Sequence, residues 1–195
     1  MVTTQDPSLW DWAWSYKDHG KNWKTVYEKK HPQGYRWLHE SFGTNWRLTE
    51  VQSVLGRAQL SRLPEMISQR RKNAAVLTAG FAKIPALRIP AAPEGNSYYK
   101  LHVYLRPERL RPGWTRTRVQ EAILAEGIPC FHGSCGEIYR EKAFDQAFRP
   151  PSPLPVAKEL DETSLMFLVH PTLDTPDMED TVRAVTKVME AASSS

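Results

Sequence analysis

With 195 residues, the chain can form one well-buried domain, or one domain and part of another. Its 41% hydrophobic and 25% charged residues are ordinary for a globular protein, and its net charge of +4 is mild. No apolar run approaches membrane-spanning length, and the first residues lack the basic and apolar regions of a signal peptide. We therefore expect a cytoplasmic protein without a membrane partner. Two cysteines fit a reducing compartment.

The first forty residues are rich in tryptophan (Trp10, Trp12, Trp14, Trp23 and Trp37). Asp6 and Pro7 are typical of a helix start, and an apolar face follows before Gly20 at Leu9, Trp12, Ala13 and Tyr16. Residues 21–42 show no sustained period and are predicted to be loop. A segment this short cannot bury so many rings, so we expect it to pack on protein that this chain lacks. Base stacking is the weaker interpretation, because no alternating aromatic strand with flanking Lys or Arg is present, and we expect no nucleic-acid partner.

A polar turn carrying Asn45 and Arg47 precedes a second predicted helix. Thr49 and Gln52 have the spacing of a capping box, which predicts the helix start. One face of this helix is apolar and is expected to be buried, at Val51, Val54, Leu55 and Ala58. An amide and a guanidinium in a loop fixed by a helix suit a phosphate or carboxylate. The two side chains suit equally well a purely structural role in the loop.

In the second half of the chain, Pro64 is expected to start or kink another helical stretch. Its apolar face holds Ile67, Ala74, Leu77 and Phe81. Alternation over residues 98–105 predicts a strand whose buried face holds Tyr99, Leu101, Val103 and Leu105. Thr117 and Gln120 have the spacing of a capping box, which predicts the start of another helix, and Gly127 is expected to end that helix.

A short strand over 128–131 completes a strand–helix–strand order, which predicts a crossover with its helix on one side of a sheet. Short helices are predicted over 137–144 and 156–160. The continuous apolar run 164–169 predicts a central strand. The final helix opens at Thr175–Pro176, with an apolar face of Met178, Val182, Val185 and Met189. The tail 191–195 is expected to be disordered. These elements predict a mixed α/β fold of the α+β type.

Cys130, His132 and Cys135 form the pattern C-x-H-x-x-C. A structural zinc needs four ligands, and His170 would be the fourth only if the fold brings it near. Ordinary buried thiols and an exposed histidine are the favoured interpretation of this pattern, so we expect no metal. Nucleophilic catalysis by either cysteine would need a base held by a third group. The basic run Arg70–Lys72 is expected to be a solvated helix face.

Residues 43–60 read G-T-N-W-R-L-T-E-V-Q-S-V-L-G-R-A-Q-L. This string resembles the segment G-x-N-x-R-(M/L)-(T/S)-(D/E)-x-Q-A-A-x-G-x-x-Q-L of the DegT/DnrJ/StrS family of sugar aminotransferases, which use pyridoxal phosphate. Residues 2–20 also resemble the family, as do the strings Y-Y-K-L-H-V-Y-L, E-G-I-P-C-F and S-L-M-F-L-V-H-P-T-L. The resemblance implies the small C-terminal domain of a fold type I enzyme: a short sheet covered by helices, with a long linking helix. It assigns residues 1–48 to a remnant of the large cofactor-binding domain, 49–190 to the linking helix and small domain, and 191–195 to the tail.

By the same resemblance, Asn45 reaches the cofactor phosphate of the opposite subunit in a homodimer. Arg47 supports that loop or binds an anionic group of the substrate. The family's cofactor-bonded Lys lies just before a T-T-G-E-G-G-like run, and Met1 matches the residue directly after that run. No catalytic residue is therefore expected in this chain.

The family resemblance implies transfer of an amino group, typically from glutamate, to a keto group of a nucleotide-linked sugar, as in polysaccharide biosynthesis. We expect the isolated chain to be inactive and to derive from a gene fragment or a truncated reading frame. The alternative is a non-catalytic interaction module that pairs with a separate large domain. At residues 131–135, where many members carry a His-Tyr-Pro run, this chain differs, so the resemblance does not assign the sugar or a role for His132 or Ser134.

Overall fold

The computed structural model describes residues 2–31, 34, 36–133, 136–144 and 148–194. The chain forms two compact units, Met1–Ser61 and Arg62–Ser195, called here the N-terminal and C-terminal units. The long helix α3 (Glu50–Phe81) begins in the first unit and ends in the second. The assignment of residues 1–48 to a larger domain stays a prediction. None of the helices in the described residues is long and apolar enough to cross a bilayer.

The N-terminal unit begins with α1 (Pro7–Lys17), as predicted from its cap. The Asp6 carboxylate accepts hydrogen bonds from the backbone N–H groups of Ser8 and Leu9. The loop prediction for residues 21–42 is wrong in part, because α2 (Trp23–Tyr27) lies there. Asn22 caps this helix, and five residues are too few to show a helical period.

The predicted capping box at the start of α3 is confirmed. Gln52 N–H donates to Thr49 Oγ1 (3.3 Å), and Thr49 N–H donates to Gln52 Oε1 (3.0 Å). Pro64 lies inside one continuous helix and does not start a second one. It removes the bond to the carbonyl of Leu60, and this loss is tolerable because Leu60 is exposed to water.

The expected burial of the first apolar face of α3 is wrong for this chain, because Val51, Val54 and Leu55 are all more than half exposed. The opposite end of the helix behaves as predicted, since Ala74, Leu77 and Phe81 are fully buried. The sequence at the start of α3 is therefore amphipathic, as in a helix that packs on other protein, but its apolar face is exposed in this structure.

Four strands of the C-terminal unit form an antiparallel sheet. They are β1 (Leu87–Arg88), β2 (Leu101–Leu105), β3 (Cys130–His132) and β4 (Ser164–Phe167), in the order β1-β2-β4-β3. The strand predicted to be central, β4, is central. Because β2 and β3 both run antiparallel to β4, they are parallel to each other, and α4 (Arg116–Ala125) makes the predicted crossover between them.

Two predicted boundaries around this crossover are wrong. The helix α4 is capped by Thr115, whose Oγ1 accepts from Arg118 N–H (3.3 Å), and not by Thr117. The side chain of Gln120 instead donates to the carbonyl of Cys130 (3.0 Å). The strand β2 starts only at Leu101, since Tyr98 has a positive φ of 49° that breaks the extended chain.

The remaining helices follow the prediction more loosely. The stretch predicted as a helix over 137–144 contains a single 3₁₀ turn, Ile138–Arg140. The next helix, α5, covers Pro155–Thr163. The last, α6 (Thr175–Ala192), opens with a capping box between Asp174 and Asp177.

The prediction of a disordered tail from residue 191 is wrong for the residues that the structure describes. Ala192 ends α6 with its side chain fully buried. Ser193 pairs with Leu110, and Ser194 N–H donates to the carbonyl of Arg109 (3.0 Å). Burial and these backbone bonds keep residues 192–194 ordered, although the apolar pattern of α6 has ended before them. Ser195 lies outside the described residues.

A single apolar core fills the C-terminal unit. It joins side chains of the sheet with those of α3, α4 and α6. The rings of Phe81 and Phe167 meet at its centre, with their centroids 5.0 Å apart. Every second residue of β2 points into this core, which explains the predicted alternation.

Candidate functional site

The loop 43–47, which carries both predicted site residues, is tied by its backbone to the end of α1. His19 N–H donates to the carbonyl of Thr44 (2.9 Å), Thr44 N–H to that of Tyr16 (2.7 Å), and Trp46 N–H to that of Lys17 (2.9 Å). Asp18 and Asn45 form an antiparallel bridge. The loop is therefore held by α1 as well as by the start of α3.

Two glycines permit this close approach. A Cβ atom on Gly43 would lie 2.4 Å from the backbone nitrogen of Gly20 and 2.7 Å from the carbonyl oxygen of Tyr16. Gly20 has a φ of +80°, and a Cβ there would lie 1.7 Å from the carbonyl oxygen of Ser41. No side chain fits at either position, so the first glycine of the 43–60 motif has a direct steric role.

The side chains of Asn45 and Arg47 meet each other. Arg47 Nε donates to Asn45 Oδ1 (3.1 Å), and Arg47 Nε also lies 3.6 Å from Asp18 Oδ1. The same Asp18 oxygen lies 3.3 Å from Lys21 Nζ. Two cations thus share one carboxylate, which leaves a formal charge of about +1 beside Asn45.

This arrangement turns Asn45 into a hydrogen-bond donor. Its Oδ1 already accepts from Arg47, whereas none of the described residues forms a hydrogen bond with its Nδ2. The terminal nitrogens of Arg47 are likewise without a hydrogen bond in the described part of the chain. Donors without acceptors, next to a net positive charge, suit a phosphate or a carboxylate.

An aromatic surface adjoins the loop. The ring of Trp46 meets Tyr16 edge-on (5.3 Å between centroids), and Tyr16 stacks on Trp12 (5.2 Å). A groove of about 810 Å³ in the N-terminal unit is lined by these rings and by neighbours such as Trp10, Trp14 and Lys17. We call these exposed rings, Trp10, Trp12 and Trp46, the aromatic surface.

The candidate metal ligands do not come together in the described residues, where no group of three or more His, Cys, Asp or Glu side chains could hold a metal. Burial raises the pKa of the Cys130 thiol to about 12, so it is protonated at neutral pH. The pKa of His132 is lowered by burial and by the guanidinium of Arg116. His170 Nδ1 bonds to Thr172 Oγ1 (2.7 Å). Cys135 and Ser134 lie outside the described residues.

The basic run at residues 70–72 is exposed at Arg71 and Lys72, as predicted, whereas Arg70 is only partly exposed. Both arginines also bond to a neighbouring loop. Arg70 Nη1 donates to the carbonyls of Tyr98 (3.2 Å) and Tyr99 (2.9 Å), and Arg71 Nε donates to that of Asn96 (2.9 Å). These cations therefore hold the loop that precedes β2.

Comparison with known proteins identifies the family to which the chain belongs. Residues 1–186 match the DegT/DnrJ/EryC1/StrS aminotransferase family. The chain belongs to this family. The match confirms the family resemblance of the 43–60 motif, and Asn45 and Arg47 are the amide and guanidinium of that motif.

Similar proteins of this family are about twice as long as the chain. The crystal structure of an aminotransferase from Psychrobacter cryohalolentis is 49% identical with a TM-score of 0.89, covering 97% of this chain and 51% of that one. The dTDP-3-amino-3,4,6-trideoxy-alpha-D-glucose transaminase of Streptomyces venezuelae is 25% identical, over 94% of this chain and 44% of its own. The chain thus spans about half the length of the relatives it matches.

The fold also matches the Escherichia coli GDP-4-keto-6-deoxy-D-mannose-3-dehydratase, solved with bound hydrated pyridoxal phosphate. That structure is 20% identical with a TM-score of 0.76, over 94% of this chain and 49% of the other. A dehydratase and several aminotransferases share this fold, so the fold by itself does not specify the reaction.

Sequence reasoning missed Asp18 and Lys21 as parts of the site. Asp18 is 27 positions from Asn45 along the chain, and only the antiparallel bridge brings the two together. The available signal was an acidic residue just before the H-G pair at 19–20. Several carboxylates flank the loop in sequence, and no local pattern tells which of them pairs with Arg47.

Proposed function

We propose that this chain is the C-terminal part of a pyridoxal-phosphate-dependent aminotransferase that acts on a nucleotide-linked keto sugar, with glutamate as the amino donor. Membership of the aminotransferase family supports the reaction class. The name of the Streptomyces venezuelae relative, a transaminase of a dTDP-linked sugar, supports the substrate class. The observation that carries the proposal is the donor pair of Asn45 and Arg47 in the family motif.

The donors of the loop fit the phosphate of the proposed cofactor. Asn45 Nδ2 would donate to that phosphate in the partner subunit of a homodimer, and Arg47 would bind an anionic group of the substrate. Arg suits this role because its terminal nitrogens form a rigid fork of donors. When bound, pyridoxal phosphate supplies the electron sink for the transfer of the amino group.

The isolated chain is proposed to be inactive. No residue in it matches the Lys to which the family bonds its cofactor. The exposed rings of Trp12 and Trp46, and the exposed face of α3 at Val54, support the view that further polypeptide covers the N-terminal unit. The cofactor site would then be completed by groups outside this chain.

A non-catalytic interaction module is the second candidate. The same aromatic surface favours it, because exposed rings of this kind are typical of protein interfaces. The two candidates differ in what happens after a partner binds. An aminotransferase half gains cofactor binding, whereas an interaction module does not.

The inactivity of the isolated chain can be tested by adding pyridoxal phosphate, reducing with borohydride and measuring the mass of the chain. We expect no stoichiometric pyridoxyl adduct, because surface lysines react weakly and without selectivity. A full adduct on one specific Lys would overturn the proposal that the chain lacks this group.

The function itself can be tested by co-expressing the chain with the N-terminal half of the Psychrobacter cryohalolentis relative. We expect the complex to bind pyridoxal phosphate and to move the amino group of glutamate onto a nucleotide-linked keto sugar. Replacing Asn45→Ala should weaken cofactor binding about tenfold, the effect of losing one hydrogen bond to a charged group. Gln5→Ala is the matched control, since this exposed amide is on the same unit and lies outside the 43–60 motif.

Three results are decisive. A complex that forms but binds no cofactor supports the interaction module. Equal cofactor binding by the Asn45→Ala and Gln5→Ala variants would remove Asn45 from the phosphate site. Dehydration of the sugar without amino transfer would leave the cofactor in place and change the reaction class.

A further inference from the structure

Asp18 is a nearly buried carboxylate at the end of α1. It is 8% exposed and follows the last helical residue as its C-cap. The cations of Lys21 and Arg47 both lie within 4 Å of its Oδ1. A carboxylate this far from water requires compensating charge, and the two cations supply it.

Arg47 connects this carboxylate to the candidate anion site. Its Nε carries a single hydrogen, and that nitrogen lies close to both Asp18 Oδ1 (3.6 Å) and Asn45 Oδ1 (3.1 Å). The shorter contact is the hydrogen bond to Asn45, while the Asp18 carboxylate attracts the guanidinium as a whole. The backbone N–H of Arg47 reaches the same Asn45 oxygen at a longer 3.5 Å. The Arg47 side chain thus makes the shorter of the two contacts that orient the Asn45 amide, and Asp18 attracts that side chain.

The orientation of this amide decides what the site binds. With Oδ1 held by Arg47, only the N–H donors of Nδ2 remain for a ligand. If the Arg47 side chain moved away, only the longer contact with the Arg47 backbone N–H (3.5 Å) would hold this oxygen, and the Asn45 amide could rotate by half a turn and present its oxygen to the ligand. A carbonyl oxygen repels a phosphate, whereas two N–H donors bind it.

We propose that Asp18 is a positioning residue of the anion site. It holds Arg47 on the oxygen of Asn45, so that Asn45 offers only donors to an incoming phosphate. This inference rests on the proposed function, which assigns that phosphate to the cofactor. Without Asp18, the half-exposed Arg47 side chain would populate several rotamers and the amide would lose its fixed orientation.

A purely structural role of Asp18 makes a different prediction. Asp18 and Lys21 are three residues apart and form an ion pair of their own. If this pair served only to hold the turn at the end of α1, then breaking it from either side would disturb the loop 43–47 equally. If Asp18 acts through Arg47, removal of Lys21 leaves Asn45 and Arg47 as they are.

The full isolated chain can be labelled with nitrogen isotopes, and the side-chain signals of Arg47 Nε–H and of the Asn45 amide followed by NMR. We expect a slowly exchanging Arg47 signal that is lost in Asp18→Asn, together with a shift of the Asn45 amide pair. The backbone signals of α1 should stay in place. Asp11→Asn, an exposed carboxylate on the same helix, is the matched control and should change neither signal.

Two further variants distinguish a loss of Arg47 positioning from a general loss of folding. Lys21→Gln alone should leave the Arg47 and Asn45 signals unchanged. The double variant Asp18→Asn with Lys21→Gln removes both charges of the ion pair together, and it should lose the Arg47 signal as the single Asp18 variant does. Unchanged signals in both Asp18 variants, or an equal loss in Lys21→Gln alone, would overturn the inference.

The same variants in the co-expressed complex separate this inference from the proposed function. Asp18→Asn should weaken the binding of pyridoxal phosphate about tenfold, and adding Asn45→Ala should weaken it little further, because both act on one contact. If Asp18→Asn reorients the amide but neither variant changes cofactor binding, the positioning role stands and the phosphate assignment fails. If cofactor binding depends on Asn45 but not on Asp18, the function stands and the positioning role fails.

Discussion

The two units of this chain are stabilised in opposite ways. The C-terminal unit is built on an extensive apolar core drawn from its sheet and three helices. Among the described residues of the N-terminal unit, only Leu38 is both apolar and buried, whereas Asp18, Lys21 and Thr25 are buried although they are polar. The C-terminal unit thus contains the burial that a stable domain needs, and the N-terminal unit does not.

The N-terminal unit relies on backbone bonds and on a few polar contacts. Its loop 43–47 is tied to α1 by three backbone hydrogen bonds, while large rings such as Phe42, Trp12 and Trp46 face outwards. The candidate site is located in this less self-sufficient unit. A site whose scaffold is completed by another polypeptide is what the proposed function requires.

The largest expected effect is in the core of the C-terminal unit. Phe81→Ala removes a fully buried ring and should lower the free energy of unfolding by about 3–5 kcal/mol, from lost burial and a residual cavity. Urea unfolding followed by far-UV circular dichroism measures this loss. Leu60→Ala, at a position 67% exposed, should change it by less than about 0.5 kcal/mol. A similar cost for the two variants would contradict an apolar core as the main source of stability.

A smaller and local effect is expected from Gly43→Ala. The new methyl group collides with the backbone of Gly20 and Tyr16, so the loop must separate from α1 at a cost of about 1–3 kcal/mol. Hydrogen exchange should then accelerate over residues 15–20 and 43–47 but not in β4. Gly56→Ala is the control: nothing lies within 4 Å of its Cβ, and it should stabilise α3 by about 0.5–1 kcal/mol. Unchanged exchange in the Gly43 variant would show that the loop is not clamped by α1.

The aromatic surface should make the isolated chain self-associate. Trp12→Lys places a charge among rings that are otherwise exposed, and it should raise the concentration needed for association by about tenfold. Sedimentation velocity over a range of concentrations measures this shift. Lys24→Ala, an exposed change on α2, serves as the control. A wild-type chain that stays monomeric at all concentrations would argue against a missing partner.

Local features of the fold were predictable from the sequence because their causes are local. Asp6 and the pair Thr49–Gln52 cap helices with atoms only two or three residues away, and these caps are confirmed. The apolar run that becomes β4 could be recognised as central because both of its faces must be buried. The family motif, which includes Asn45, was likewise contained in one continuous string.

Features that depend on distant contacts were missed. The end of α6 stays ordered because Ser193 pairs with Leu110, more than eighty residues away. The start of α3 has an amphipathic pattern, but the pattern cannot tell whether its partner belongs to the same chain. Asp18 lies in the site because it forms an antiparallel bridge with Asn45, and no periodic pattern in the sequence predicts that bridge. The roles of Asn45 and Arg47 stay predictions until cofactor binding is measured.

The smallest expected effect on stability at neutral pH concerns Cys130, a residue of the C-terminal unit. Burial raises the pKa of its thiol to about 12, from 9.0 for an unperturbed cysteine, so at about pH 8 the native chain holds roughly a thousandfold less thiolate than the unfolded chain. In a Cys135→Ser background, iodoacetamide should therefore modify Cys130 only after unfolding, as followed by mass spectrometry. Modification of the native chain at the unfolded rate would contradict this.

The raised pKa of the Cys130 thiol also predicts how the free energy of unfolding changes at alkaline pH. Above about pH 9 the unfolded chain loses the Cys130 proton while the native chain keeps it, so the free energy of unfolding falls as the pH rises towards 12. Cys130→Ala should remove this part of the decline in urea midpoints between neutral and alkaline pH. Because Cys130 lies in the C-terminal core, Gly43→Ala should leave its alkylation rate unchanged, whereas Phe81→Ala should raise it. If opening of the loop 43–47 exposed Cys130, the two units would not be independent in stability.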